Sequence, residues 1–400
     1  LDNLTTDVSN EFGSGPAGVD DNETLLICFS HLRWDFVYQR PQHLLSRAAT
    51  QYRVLFIEEP VHGSYPVPFT RTEDRSGVTV CVPHLPQGLS PNESHLAQED
   101  LLRSFLKGYR AARRVAWYYT PQALEFSRFL DADVVVFDNM DELSAFHGAS
   151  PHLAALEAEL LERADVVFTG GASLYEAKKG RHDNVLCLPS SVDTAHFRRA
   201  RQPQDEPNDQ AEFQTPRIGF FGVVDERLDV ALLADIAASR PDWTFVMIGP
   251  VVKIDPESLP RTANIRWLGL KSYDDLPAYL AGWDVAIMPF ARNEATRYIS
   301  PTKTPEYLAA GVPVVSTSIH DVVRPYGDLG LVQIADHPQD FIDALERALS
   351  PAPASWLEKV DAKLATMSWN RTWAQMNTAI QRSIAARTSQ QSKIRSEALV

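Results

Sequence analysis

Short runs rich in Val, Ile, Leu and Phe alternate with amphipathic stretches along the chain, and this alternation constrains the fold more than any other feature. Parallel sheets joined by crossover helices produce that pattern. Seven strand-like runs come first: TLLICFS from Thr24, YRVLFIEE from Tyr52, GVTVCVP from Gly77, RVAWYYT from Arg114, ADVVVFD from Ala132, ADVVFTG from Ala164 and NVLCLPS from Asn184. Helical stretches such as QRPQHLLSRAAT, LLRSFLKGYRAA and LAALEAELLERA lie between them. RRARQPQDEPNDQAEFQTP, from Arg198, is polar and Pro-bearing with no periodicity, so it reads as a linker. A second series then runs through RIGFFG, WTFVMIG, NIRWLG, WDVAIMPF, VPVVST and LVQIA.

The expected fold class is therefore α/β, with two Rossmann-like doubly wound domains facing a central cleft at the carboxyl ends of their strands. Residues 23–197 and 216–365 would form the domains, 198–215 the linker, and 1–22 a polar, acidic, disordered tail. In 366–400, Trp369, Trp373 and Met376 recur at helical spacing as packing anchors of a long last helix, and the tail after Arg387 is expected to be disordered. A chain of 400 residues suffices for two such cores.

Charge and apolar patterning exclude several functions. A net charge of -14 opposes general nucleic-acid binding, which needs a concentrated positive field. No apolar run approaches the roughly 20 residues that span a bilayer. Cys28, Cys81 and Cys187 lie far apart in strand-like runs and read as reduced thiols rather than disulfides or metal ligands.

RYISPTKTPEYLAAGVPVVST, residues 297–317, is the most informative segment for chemistry. PEYLAAG has the content of a short helix ending at Gly311, and VPVVST reads as a buried parallel strand. Ser300, Pro301, Thr302 and Lys303 fall at the helix entry, where free N–H groups and the dipole favour phosphate. Glu306, three residues on and so on the same face, can accept from ribose hydroxyls. A capped helix with a solvated face has the same composition.

This segment resembles the donor-site signature of GT-B glycosyltransferases, in particular those similar to glycosyltransferase family four and the glucuronosyltransferase-like families. In the pattern E-A/Y-x-A-x-G-x-P-V-V, Glu306, Ala309, Gly311, Pro313, Val314 and Val315 stand in matching places, and the resemblance implies that Glu306 holds the donor ribose. IGFFGVVDERLDVALLADIA is similar to the family's first strand-loop-helix, which assigns Gly222 to the turn and Arg227 to the donor diphosphate. The Arg that usually follows that Gly is Val223 here. NIRWLGLKSYDDL resembles the element that cradles the nucleobase through Gly269, Leu270 and Lys271. Many retaining members carry an E-x7-E pair, and the position of its first Glu is Tyr298 here, which leaves an inverting mechanism open. Tyr298, Ser300 and Thr302 complete the expected donor set.

The N-terminal domain should supply the acceptor site and any base. HLRWDFVYQRPQH follows the first strand, so Arg33, Trp34 and Asp35 read as a platform for a sugar or acidic group, or as a structural turn. This stretch also resembles a bacterial group of glycosyltransferases with an RWDFVYQRPQH signature, a resemblance that runs through FDNMDELSAFHGA and LPSSVDTAHF and covers nearly all the chain after residue 22. Asp141, then Asp138, are the candidates to take the acceptor proton; an N-cap and a sheet-end hydrogen bonder are the structural alternatives. Asp131-Ala132-Asp133 spells a metal-binding DxD but opens a strand at the end away from the cleft, so no metal is assigned. In LLRSFLKGYRAARR, Arg103, Lys107, Arg110, Arg113 and Arg114 would form either an exposed basic face or a contact to an anionic membrane.

The reduced thiols fit a cytoplasmic protein, and the resemblance implies a transferase without cofactor, whose substrate is a UDP- or GDP-linked sugar. The acceptor would be a glycan, lipid-linked or small-molecule hydroxyl, with no nucleic acid and a peripheral contact to the inner membrane face as an accessory expectation. A nucleotide-sugar epimerase of the same build and a non-catalytic nucleotide-sugar binding protein are the alternatives.

Overall fold

The computed structural model describes residues 23–397, with side chains through residue 389. The segment 1–22, expected as a disordered tail, lies outside the described residues. Fifteen strands form two sheets. The first sheet contains β1 (Thr24–Phe29), β2 (Arg53–Ile57), β3 (Val61–His62), β4 (Phe69–Glu73), β5 (Val78–Leu85), β6 (Arg113–Tyr118), β7 (Val134–Asn139), β8 (Val166–Thr169) and β9 (Val185–Cys187). Its order is β3-β5-β2-β1-β6-β7-β8-β9, parallel throughout except that β4 pairs antiparallel with β5. The second sheet contains β10 (Arg217–Phe221), β11 (Thr244–Ile248), β12 (Ile265–Gly269), β13 (Val285–Met288), β14 (Val314–Ser316) and β15 (Gln333–Ile334). Its order is β12-β11-β10-β13-β14-β15, all parallel.

Both faces of the first sheet are buried, which is why its strands read as continuous apolar runs. Leu25, Ile27 and Phe29 of β1 pack on one side with Leu102, Leu124 and Leu160. Leu26 and Cys28 point to the other side, as the two-residue period of a strand requires, and meet Leu44, Trp117 and Phe168. Trp369, Trp373, Met376, Ile380 and Ile384 of the last helix, Trp369–Glu397, complete that second layer, so the C-terminal segment crosses back to the first domain. The helix continues beyond Arg387, where a disordered tail was expected; its backbone pattern persists to Glu397.

The stretch 198–215 is not a free linker. Arg201 donates from Nε to the carbonyl of Ala309 (2.8 Å) and pairs with Asp361 (2.9 Å), satisfying the end of helix Lys303–Ala310. Gln210 is fully buried, and its Oε1 accepts from Trp283 Nε1 (2.9 Å). Val192 and Phe197 already belong to the core of the second domain, so the chain changes domain before residue 197.

The basic stretch around residues 101–114 also differs from expectation. Its helix is Pro91–Leu106, and Arg113 and Arg114 lie on β6, so the five cations share no helical face. Arg103 pairs with Glu99 (2.6 Å) and lies over Phe129 (3.8 Å). The expected basic face is therefore divided between two elements. No helix among the described residues is long and apolar enough to cross a membrane. Asp133 Oδ2 accepts from the Arg114 N–H (2.7 Å) at the start of β7, a structural use of the DxD triplet.

Candidate active site

Each sheet reverses its strand order at its first strand: β1 lies between β2 and β6, and β10 between β11 and β13. Such switch points leave a crevice at the carboxyl ends of the strands. Here the two crevices face each other across one cleft of ≈ 810 Å³. Its walls come from the loops after β1 and β7 on one side, and from the turn after β10 and the entry of helix Lys303–Ala310 on the other.

The turn after β10 is built around Gly222, whose φ of +142° lies where side chains are rarely tolerated. Its N–H donates to the Ile248 carbonyl (2.9 Å). The buried Tyr307 hydroxyl accepts from the Phe221 N–H (2.9 Å) and so fixes helix Lys303–Ala310 against the strand end. Lys303, the first residue of that helix, runs its side chain over Gly222. Thr302 precedes it without a side-chain cap, which leaves the helix entry open to an anion.

Arg227 stands beside this entry. Its Nε donates to both Asp225 carboxylate oxygens (3.0 and 3.1 Å), and Nη2 donates to Oδ2 (2.7 Å). This clamp leaves Nη1 without a hydrogen-bond partner among the described residues, available to a phosphate oxygen. Glu306 is buried on the same helix, and burial raises its carboxyl above the usual range against the opposing pull of Lys303. Burial, then the neighbouring Arg227 charge, lowers the Lys303 ammonium. Three ionisable groups, Arg227 and Lys303 half-buried and Glu306 buried, thus converge at the cleft wall.

Asp141 enters from the opposite domain. No hydrogen bond reaches its carboxylate among the described residues, and burial raises its pKa, partly offset by Arg227 and Lys303. Asp35 is exposed on the same wall. At the far end Tyr38 stacks on Tyr273 at 4.6 Å, while His196 covers the other face of Tyr273 at 4.2 Å. Phe146 of the first domain lies beside Arg227 (5.5 Å) and Lys253 (5.3 Å) of the second, next to a His147 N–H that donates to Glu226 Oε1 (2.9 Å). The rims of the cleft are therefore in contact.

Residues 215–351 match the family model for Glycosyl transferases group 1. Over 279 residues the chain is 28% identical to TuaH of Bacillus subtilis (strain 168), provisionally named a teichuronic acid biosynthesis glycosyltransferase; the match covers 65% of this chain and 70% of TuaH. Among solved structures, an E. coli trehalose-6-phosphate structure bound with UDP-2-fluoro glucose superposes with a TM-score of 0.67 at 14% identity, covering 90% of this chain and 99% of the other. Sucrose-phosphate synthase from Thermosynechococcus elongatus gives 0.67 at 14% identity, with 91% and 100% covered. Anabaena HepE in complex with UDP gives 0.62 at 12% identity, with 90% and 100% covered. The fold is that of GT-B glycosyltransferases, and the second domain carries the Glycosyl transferases group 1 match.

The cleft gathers Trp34, Asp35, Asp141, Gly222, Arg227, Leu270, Ser300, Thr302, Lys303 and Glu306 from the expected set. Four others lie outside its walls. Asp138 is fully buried in an ion pair with Arg40 (2.8 Å), so it holds the first domain together rather than facing an acceptor. Arg33 is tied to Glu58 (2.8 Å) and to the Glu59 carbonyl (2.6 Å). Tyr298 lies under Arg297 (5.3 Å), and Gly269 accepts from the Gly249 N–H (2.8 Å) between two strand ends. Trp34 lines the cleft with an edge only: it is 6% exposed and packs on Phe56 at 5.0 Å, so its face is closed to a sugar.

Several residues of the site and its support escaped the sequence. Asp225 sits two positions before Arg227, and that spacing was a legible signal for the clamp. Asp74, Arg75 and Ser76 reach the cleft on the hairpin between β4 and β5, and the polar strand FTRTE gave no apolar signal for that hairpin. Among the described residues no three His, Cys, Asp or Glu side chains gather as a metal-holding group.

Proposed function

We propose that the enzyme holds a nucleoside diphosphate sugar on its second domain and transfers the sugar to a hydroxyl acceptor bound against its first. The observation that carries this reading is the single cleft in which Arg227, Lys303 and Glu306 face Asp141 across the domain gap. Arg227 Nη1, the Lys303 ammonium and the uncapped helix entry would take the diphosphate, and Glu306 the ribose hydroxyls. These cations meet the charge that develops on the leaving diphosphate, so we propose transfer that needs no metal and no cofactor. Asp141 would accept the proton of the acceptor hydroxyl as the glycosidic bond breaks, and burial, which raises its pKa, makes it a stronger base than an ordinary aspartate. Asp35, exposed on the same wall, would orient the acceptor.

The donor is UDP- or GDP-linked in this reading. UDP is supported by the HepE and E. coli structures, which hold UDP and a UDP sugar. A polysaccharide or other bacterial glycoconjugate as acceptor is supported by the likeness to TuaH. A cytoplasmic setting is supported by three free cysteines, two of them buried.

Incubation with a panel of nucleotide sugars and acceptor glycans tests the proposal through diphosphate release. Lys303→Ala and Glu306→Ala should weaken donor binding, and Asp141→Asn should cut turnover at least about a hundredfold with donor binding retained. Unchanged donor affinity in both of the first two variants would show that the donor lies elsewhere.

A further inference from the structure

A second chamber, of ≈ 510 Å³, lies behind the donor cleft and shares only Ser190, Ser300 and Pro301 with it. That volume falls within the roughly 300–1,000 Å³ of small-molecule sites. Its walls come from both domains and from both chain crossings, the one after β9 and the one before helix Trp369–Glu397.

Two observations point to a ligand. The first is charge. The chain carries 52 acidic against 38 basic residues, yet Arg324, Lys363 and Arg371 all line this chamber. Among the described residues none of the three has a carboxylate within ion-pair distance: Lys363 lies over the Tyr326 ring at 5.6 Å, and Arg371 reaches the Thr366 carbonyl at 3.4 Å. Unpaired cations in a concave, partly apolar site concentrate anions. The second is unspent hydrogen-bonding capacity. Ser191 is 2% exposed and lines the chamber with a hydroxyl that has no partner. Asp321 is 5% exposed and lines the chamber with its carboxylate against the start of helix Ala172–Lys178 of the first domain, where Oδ1 accepts from the Ser173 N–H (3.0 Å). A buried polar atom without a partner is destabilising, and a ligand hydroxyl would relieve that cost.

We propose that this chamber is a second ligand site, which takes a hydroxylated anion of monosaccharide size, its phosphate or carboxylate held by Arg324, Lys363 and Arg371 and its hydroxyls by Asp321 and Ser191. The inference does not depend on the donor or acceptor assignment in the main cleft. A ligand here touches both domains and the wall of Ser300 and Pro301, so it stabilises the closed arrangement and raises donor affinity in turn, since such coupling is reciprocal.

Calorimetry on the full chain, with and without saturating UDP, tests the site using glucose 6-phosphate, glucuronate, glucose and inorganic phosphate as probes. The expected result is saturable binding of glucose 6-phosphate or glucuronate that persists in Lys303→Ala and weakens at least about tenfold when Arg324→Ala and Lys363→Ala are combined. Both substituted side chains reach solvent, so the double variant should fold. Glucose and inorganic phosphate alone should each bind more weakly than the anionic sugars. The proposal is overturned if neither anionic sugar binds, if Lys303→Ala abolishes binding as the double variant does, or if inorganic phosphate binds as tightly as either sugar.

Discussion

The side chain of Lys303 passes so close over Gly222 that a β-carbon built at residue 222 would stand 1.9 Å from Lys303 Cε and 2.5 Å from its Nζ. The glycine is needed twice at this point. Its φ of +142° excludes other residues, and its missing side chain is the space through which the lysine reaches the cleft. Turn geometry and the path of the lysine side chain are thus one constraint.

Gly222→Ala should therefore damage donor binding more than its backbone strain alone explains. Strain at such a position costs of order 1–3 kcal/mol, and the contact with Lys303 displaces the ammonium as well. Gly269→Ala is the comparison: φ there is +66°, and nothing lies within 4 Å of the added carbon. Thermal unfolding should show both variants destabilised, while UDP titration should show a loss of at least about tenfold for residue 222 alone. Equal UDP affinity in the two variants would contradict the coupling.

Arg227 owes its direction to Asp225, which holds Nε and Nη2 and frees Nη1. Asp225→Asn keeps the size but removes the charge, so the guanidinium loses its fixed orientation. We expect the donor KM to rise about tenfold, with a smaller effect on the melting temperature than on binding. Arg227→Lys should resemble it, because an ammonium cannot make the same fork. Wild-type donor kinetics in both variants would remove Arg227 from the diphosphate site.

How far these residues were legible from sequence depended on whether their chemistry was local. Lys303 and Glu306 follow from one helix turn, and Gly222 from one strand end. Asp138 and Asp141 lie three positions apart at the end of the same strand, yet only Asp141 faces the cleft. What separates them is Arg40, which arrives from a helix 98 residues earlier and takes Asp138 into the core. The choice between platform and structural turn at Trp34 was open for the same reason, since its burial is decided by Phe56 on the neighbouring strand. Alternation revealed the sheets because burial on both faces leaves an apolar record in each strand, whereas the polar β4 and the two-residue β3 leave none.

Lys303 titrates below an ordinary lysine, mainly through burial and then through the Arg227 charge. A bound diphosphate opposes both effects and raises that pKa, so binding draws in a proton wherever the free group is partly neutral. UDP affinity should then be level at and just below neutrality and fall as pH rises through the lowered pKa, while the nucleotide's own charge stays constant because its phosphate titrates near pH 6. Calorimetry across this range in buffers of different ionisation enthalpy should detect proton uptake on the alkaline side. Lys303→Ala should bind more weakly and lose this dependence. An affinity that stays level into the ordinary lysine range would show that Lys303 does not titrate in the binding step.

The two aspartates at the end of β7 separate stability from chemistry. Asp138 accepts three hydrogen bonds from Arg40, at 2.8, 3.0 and 3.1 Å, and Arg40 in turn donates from Nη1 to the Leu188 carbonyl (2.8 Å) where the chain leaves the first domain. Asp138→Asn leaves a buried guanidinium without its counter-charge, and breaking a buried pair costs about 3–5 kcal/mol. The melting temperature should drop markedly, with UDP affinity retained in the fraction that stays folded. Asp141→Asn should behave in the opposite way. Burial already raises the Asp141 pKa, so neutralising it costs the fold little, while the acceptor hydroxyl loses its base. Turnover should fall at least about a hundredfold, as expected when a general base is removed. In the parent enzyme, turnover should also fall as pH drops through the raised Asp141 pKa, and that acid limb should be missing from the residual activity of Asp141→Asn. If Asp141→Asn keeps the acid limb, or if Asp138→Asn is the stable and inactive variant, then the roles given to the two carboxylates must be exchanged.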